Sequence, residues 1–216
     1  MNGKSMRCSL FLLAIFISAP LMAKGEKPAA PPAFTERMAT RETLQQLRQG
    51  GYVLYVRHGD TDNSRADRFP HVDLNDCSTQ RVLSGKGRKL MRDIGKQIRS
   101  ARIPVSDVRA SPMCRTRESA TLMFGQNFTV SSPLMYSANM TSEEKIPRLT
   151  ALEKILREPL PAGSNRLLIA HAPNLADLIG FFVKPEGTVV IFAQRGEAGY
   201  EYVASIRPEM WTELLR

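Results

Sequence analysis

Histidine, cysteine and acidic residues are scarce in this chain of 216 residues: three histidines, three cysteines, and 21 Asp and Glu against 30 Lys and Arg. No His/Asp/Cys set is clustered along the sequence, so neither a metal nor any other cofactor is expected. The basic residues form no stripe interleaved with aromatics, which argues against nucleic acid as a partner. No internal repeat and no second domain can be discerned. The apolar run from Ser9 to Ala19 is short for a membrane span.

That run has another reading. Lys4 and Arg7 precede it and Leu21-Met22-Ala23 follows it, the pattern of a secretory signal over residues 1–23. The mature protein is then expected in the periplasm or secreted. An uncleaved signal is the alternative and would be the only membrane contact. Cleavage removes Lys4 and Arg7, which takes the net charge from +9 to +7. A basic exported protein favours anionic partners, such as a small phosphorylated substrate or a phosphorylated glycolipid. Pro28, Pro31 and Pro32 mark residues 24–39 as a flexible linker, and residues 40–216 are of a size to form one domain with its own core. Cys77 and Cys114 survive cleavage, and an oxidising compartment favours a disulfide between them.

Within the domain, helical and strand patterns alternate. The spacing predicts helices over Thr40–Gln49, Ser84–Arg102, Pro112–Phe124, Thr141–Glu158 and Pro173–Phe182, with Ile146, Leu149, Leu152 and Leu156 of the fourth facing inward. Strands are expected over Gly51–Val56, Val105–Ser111, Phe128–Val130 and Leu167–Ala170. Val189–Phe192 and Tyr200–Ile206 read as a closing hairpin, and Pro208–Leu215 as a last short helix. This order describes a single α/β domain with a mostly parallel central sheet flanked by helices on both faces. The polar stretch from Asp60 to Gln80 is long for a connection in such a domain, which marks it as functional or mobile.

Three strand ends carry the chemistry. The first strand stops on Arg57-His58-Gly59, the second enters Ser111-Pro112-Met113-Cys114-Arg115, and the third stops on His171. Carboxyl ends of parallel strands are where open α/β sheets hold ligands. Arginine grips phosphate oxygens with its planar fork, and a neutral imidazole can attack phosphorus. Arg109 and Arg117 are expected to face away, His71 to lie in a surface loop, and Asn174 to cap a helix.

Arg57-His58-Gly59, Leu83-Ser84-x-x-Gly87, Ala110-Ser111-Pro112-x-x-Arg115-Thr116-x-x-Ser119-Ala120 and His171 together resemble the histidine phosphatase superfamily, in its phosphoglycerate-mutase-like branch. The resemblance implies that His58 is the nucleophile and carries a transient phosphohistidine, its other ring nitrogen donating to a backbone carbonyl near Gly59. Arg57 and Arg115 would grip the phosphoryl group, with Gly59 and Thr61 beside them, and His171 would complete the pocket. The implied protein is an exported, metal-independent phosphatase acting on a phosphomonoester, with phosphorylated sugar or envelope glycolipid as a substrate class. The general acid departs from the family pattern. Leu134–Met140 contains no carboxylate, and Ala172 follows His171 where the acid-phosphatase branch has aspartate. Glu143 and Glu144 are the expected acids, with Asp60 behind them. Two rival readings stand beside this one: a phosphohistidine or acyl-phosphate phosphatase, which needs no acid, and a non-catalytic phosphate-binding module.

Overall fold

The computed structural model describes residues 33–216 other than His71, so the expected signal and residues 24–32 of the expected linker lie outside the described residues. Among those described, no helix is long and apolar enough to cross a membrane. The linker ends earlier than its composition suggests. Phe34 stacks on Phe181 at 4.4 Å between ring centroids, Ala39 is buried, and the Ala39 N–H donates to the Ser205 carbonyl at 2.9 Å. The apolar Phe34 side chain anchors what the prolines alone describe as loose chain.

One six-stranded sheet organises the fold, with strands β1 (Tyr52–Arg57), β2 (Val105–Ala110), β3 (Thr129–Val130), β4 (Asn165–Ala170), β5 (Val189–Gln194) and β6 (Tyr200–Ile206) in the spatial order β3-β2-β4-β1-β5-β6. The first four in that order run parallel, while β5 and β6 close the sheet antiparallel. Alternate residues of β1 and β4 feed two cores, as the period of two requires. Leu54, Val56, Leu167 and Ile169 pack under helices α1 (Arg41–Gln49), α2 (Gly85–Ser100), α3 (Cys114–Phe124) and α6 (Trp211–Leu214). Val53, Tyr55, Leu168 and Ala170 pack under α4 (Ser142–Arg157) and α5 (Ala172–Ile179). Burial on both faces explains why β4 reads as a continuous apolar run.

Caps set the helix starts. Thr40, Ser84 and Thr141 each accept the N–H three residues on, which satisfies a donor that the first turn leaves free. The α4 pattern is corrected in part: Leu152 and Leu156 are buried, but Ile146 is 64% exposed, because the buried residues of this helix begin at Leu152. Helix α5 stops at Ile179, where Gly180 takes a left-handed conformation (φ 73°).

Register aligns the three functional strand ends. Arg57 pairs with Ala170, and Ile169 pairs with Ala110. The His58 N–H donates to the Ala170 carbonyl (3.1 Å) and the Ser111 N–H to the Ile169 carbonyl (2.9 Å), so His58, His171 and Ser111 leave the sheet together. Helix α2 crosses just above this edge. A Cβ on Gly87 would lie 2.0 Å from the Asp60 carbonyl oxygen, and one on Gly59 would lie 2.7 Å from the Gly87 carbonyl oxygen. The glycines of two separate motifs are thus one backbone crossing.

The 60–80 stretch is fastened to the start of α3. Cys77 and Cys114 form a disulfide with Cα atoms 5.8 Å apart; beside it Gln80 accepts the Cys114 N–H (2.8 Å) and Arg117 donates to the Leu74 carbonyl (2.8 Å).

Two predictions follow from this packing. Gly87→Ala overpacks the crossing and should destabilise the fold by about 1–3 kcal/mol; an unchanged urea midpoint would refute the close approach. The Cys77→Ser/Cys114→Ser pair opens a loop of 37 residues and should lose about 4 kcal/mol in the chain-entropy account, while mass analysis of the unaltered, non-reduced protein should show two hydrogens fewer than the free thiols require.

Candidate active site

The site sits where β1, β4 and β2 end. His58 and His171 are buried with ring centroids 5.2 Å apart. Two imidazoles 113 positions apart in sequence thus meet at one place. His58 Nδ1 lies 2.8 Å from the Gly59 carbonyl. A carbonyl only accepts, so Nδ1 carries the proton and the Nε2 lone pair is free. His171 is oriented from two sides. The Ser111 hydroxyl, which accepts the Met113 N–H (3.5 Å), lies 2.9 Å from His171 Nε2. When that hydroxyl donates to Nε2, the proton of His171 is on Nδ1, which is buried and has no partner. The Tyr55 hydroxyl donates to the His171 carbonyl (2.6 Å) and accepts the His171 N–H (3.2 Å), pinning the backbone as the chain leaves the sheet.

The arginines are half-satisfied. Arg57 donates to the Val183 carbonyl (2.7 Å) and to Glu186, which leaves its Nε without a partner. Arg115 is fully buried; its Nη1 reaches Asp67 at 3.0 Å, and its Nε and Nη2 have no partner. A buried guanidinium normally bonds all its N–H groups, because an unmet buried donor costs roughly 1–3 kcal/mol. Here the unmet donors gather around the two histidines, which is the arrangement an oxyanion would satisfy.

The charge state follows from that geometry. Burial pushes His58 down to about 3, and Arg115 pushes it further in the same direction. His171 is held well below its ordinary value by burial and then by Arg115. Burial also lowers Arg57 and Arg115. The site is positive through its guanidiniums while both imidazoles stay neutral.

Three residues emerge that motif spacing did not reveal. Arg81 adds its positive charge to both histidines and both arginines, and its Nε is buried without a partner. It stands two residues before Leu83-Ser84, a position that marks it as near the motif but assigns it no direction. Asp67 pairs with Arg115 and accepts the Arg81 N–H (2.8 Å). Tyr136 lies 5.2 Å from the His171 ring and 5.2 Å from the Arg115 guanidinium, between centroids. It occupies the Leu134–Met140 segment that lacks an acid.

Other expected residues lie elsewhere. Gly59 gives its carbonyl to His58 and its N–H to Ser119 (3.4 Å); its close approach to α2, not ligand contact, is what it supplies. Thr61 is buried where the chain bridges to Leu83, with no hydrogen bond to the histidines or arginines. Glu143 is exposed in the first turn of α4, and Glu144 accepts the Thr141 N–H (2.8 Å) as half of a capping box. Neither carboxylate touches the histidines. Asp60 accepts the Ser84 hydroxyl (2.6 Å) and so supports the start of α2. Arg109 and Arg117 face away as expected, but they are bonded and not merely solvated: Arg109 to Asp107 and Glu158, Arg117 to Leu74. Asn174 caps nothing; it donates to the Met135 carbonyl (2.8 Å) and holds the segment bearing Tyr136. Among the described residues no group of three or more His, Cys, Asp and Glu is gathered as a metal would require.

No protein-family model matches the chain, and no curated protein is similar to it in sequence. Solved structures are similar in fold. The protein histidine phosphatase SixA, complexed with tungstate, superposes with a TM-score of 0.53 at 14% identity, over 73% of this chain and 97% of that one. A phosphoserine phosphatase from Entamoeba histolytica, complexed with phosphoserine, gives 0.51 at 8% identity over 73% and 98%. The product of open reading frame Rv3214 from Mycobacterium tuberculosis gives 0.50 at 16% identity over 71% and 95%. By its strand order and these superpositions, the chain has the phosphoglycerate-mutase-like fold.

Proposed function

We propose that this protein is a histidine phosphatase, which hydrolyses a small phosphomonoester through a phosphohistidine and without a metal. The observation that carries the reading is the set of unpartnered buried donors, Arg57 Nε, Arg115 Nε and Nη2, Arg81 Nε and His171 Nδ1, around a neutral His58. SixA bound to tungstate and the phosphoserine phosphatase bound to phosphoserine carry the same fold, which agrees with an oxyanion in this pocket.

The steps follow from the atoms. His58 Nε2 attacks phosphorus in line; the N–P bond forms as the bond to the leaving oxygen breaks, and that oxygen takes up a proton from solvent, which the attacking water of the second step returns. The guanidiniums and the His171 Nδ1–H meet the charge on the equatorial oxygens, fixed in advance by Ser111, Tyr55 and Glu186. The Gly59 carbonyl accepts from Nδ1–H while the ring becomes cationic, so the phosphohistidine is stabilised on its far side. Water then attacks phosphorus, the N–P bond breaks, and His58 returns to its neutral form with release of phosphate.

Asp67 and Glu186 are the carboxylates paired with the two arginines, and both are already engaged: Asp67 by Arg115 and the Arg81 N–H, Glu186 by Arg57. That commitment favours leaving groups that need little help from an acid, which keeps the acyl- and imidazole-phosphate reading alive as a second possibility. The N-terminal pattern and the Cys77–Cys114 bond support export to an oxidising compartment. A phosphorylated sugar or glycolipid has only the basic surface in its favour.

His58→Ala should abolish turnover of an aryl phosphate while still binding vanadate; hydrolysis at the unaltered rate would remove the reading. Stability should also depend on pH in a defined sense. His58 is pushed from the ordinary 6.5 down to about 3 in the fold, so between those values the unfolded chain binds more protons. The stabilising contribution is complete above about 6.5 and is lost as pH falls toward 3, with a slope approaching about 1.4 kcal/mol per pH unit for each such histidine. Urea midpoints at pH 7.5 and 5.5 should differ accordingly, and His58→Gln should flatten the difference.

A further inference from the structure

We infer, on the basis of the phosphatase reading, that the substrate's leaving group is aromatic and binds in a cleft between the 60–80 loop and the segment that carries Tyr136. A mouth of about 260 Å³, lined by Asp67, Phe69, Arg81 and Tyr136, adjoins the histidine site through the Asp67–Arg115 pair and the Tyr136 ring. A second hollow of about 180 Å³ shares the Asp67, Phe69, Tyr136 and Asn139 walls with that mouth and continues between Met113, Met135 and Met140. Tyr136 joins the two, since its ring contacts both His171 and Arg115.

The size and the lining select the occupant. An apolar hollow of about 150 Å³ holds a benzene ring. Methionine side chains adapt to flat rings and make favourable sulfur contacts with their edges. A sugar would instead need partners for several hydroxyls. Of the polar side chains lining the hollow, Asp67 is committed to Arg115 and Glu144 to the α4 cap, which leaves the Tyr136 hydroxyl and Asn139. Phe69 stands 63% exposed at the border of mouth and hollow, an apolar ring left largely uncovered by the described residues. The chemistry agrees independently. A phenolic oxygen leaves more readily than an alkyl one, which suits a site whose arginine-paired carboxylates, Asp67 and Glu186, are already engaged.

The test separates binding from leaving-group reactivity by using phosphonates, which cannot be hydrolysed. Calorimetry of the folded protein should show benzylphosphonate binding at least about tenfold more tightly than hydroxymethylphosphonate. The ratio should collapse toward one in Phe69→Ser/Met140→Ser and persist in Ile146→Ser, an exposed position on α4 outside the cleft. Equal affinities in the unaltered protein, or a ratio untouched by the double substitution, would overturn the aromatic subsite while aryl-phosphate turnover lost in His58→Ala kept the phosphatase reading. Absence of both turnover and phosphonate binding would overturn both.

Discussion

The constraint on which this structure depends is the confinement of positive charge. Arg57 and Arg115 are drawn from water at one sheet edge, Arg81 stands beside them, and burial lowers the first two. Like charges so placed repel, and the fold holds them only by meeting part of each guanidinium with a fixed anion or carbonyl. Glu186 and the Val183 carbonyl meet Arg57; Asp67 meets Arg115. What is left over are the unpartnered buried donors of both guanidiniums. In the proposed phosphatase a tetrahedral dianion would supply the missing partners, and its binding would relieve a strain that folding imposed. The neutrality of His58 and His171 is the same fact seen from the imidazoles: a proton on either would add to the repulsion.

This arrangement explains why the 60–80 loop is tied down so heavily. Asp67 can offset Arg115 only if the loop stays in place, and a loop of that length loses much conformational freedom when ordered. The Cys77–Cys114 bond, the Gln80 amide on Cys114 and the Arg117 contact to Leu74 all fasten it within one turn of Arg115. The same loop contributes Phe69 to the cleft wall. One fastening therefore serves charge balance on one side and ligand shape on the other.

The order of elements and the four motif side chains were legible in the sequence because each obeys a local rule. An apolar run of strand length that ends on Arg-His-Gly or on His places those groups at a sheet edge whatever the rest of the chain does. The disulfide was legible from cysteine count and compartment. Asp67, Arg81 and Tyr136 were not, because each sits in irregular chain whose direction is set by tertiary contacts: the disulfide, the Arg68 N–H to Thr79 carbonyl bond (2.9 Å), and Asn174 on the Met135 carbonyl. Glu143 and Glu144 do not touch the histidines, for a related reason. They stand where a carboxylate is needed in sequence, but a carboxylate in the first turn of a helix has a competing use at the cap, and the capping box takes Glu144. Gly59 was misread as a ligand contact because a glycine beside a nucleophile suggests close approach of substrate, whereas the close approach here is by Gly87.

The absence of detectable sequence relatives alongside a shared fold then has a physical account. Motif positions are fixed by chemistry at strand ends and by the glycine crossing, and they are few. The two cores need only apolar residues of suitable volume at alternating positions, which many sequences provide. Between those limits the loops are free to vary, and in this chain the loops supply the offset charge, the third guanidinium and the apolar wall. Identity can thus fall to 14% against SixA while the fold is shared. What the structure adds to the motif side chains is accordingly concentrated in residues 60–80 and 134–140, which carry Asp67, Phe69 and Tyr136.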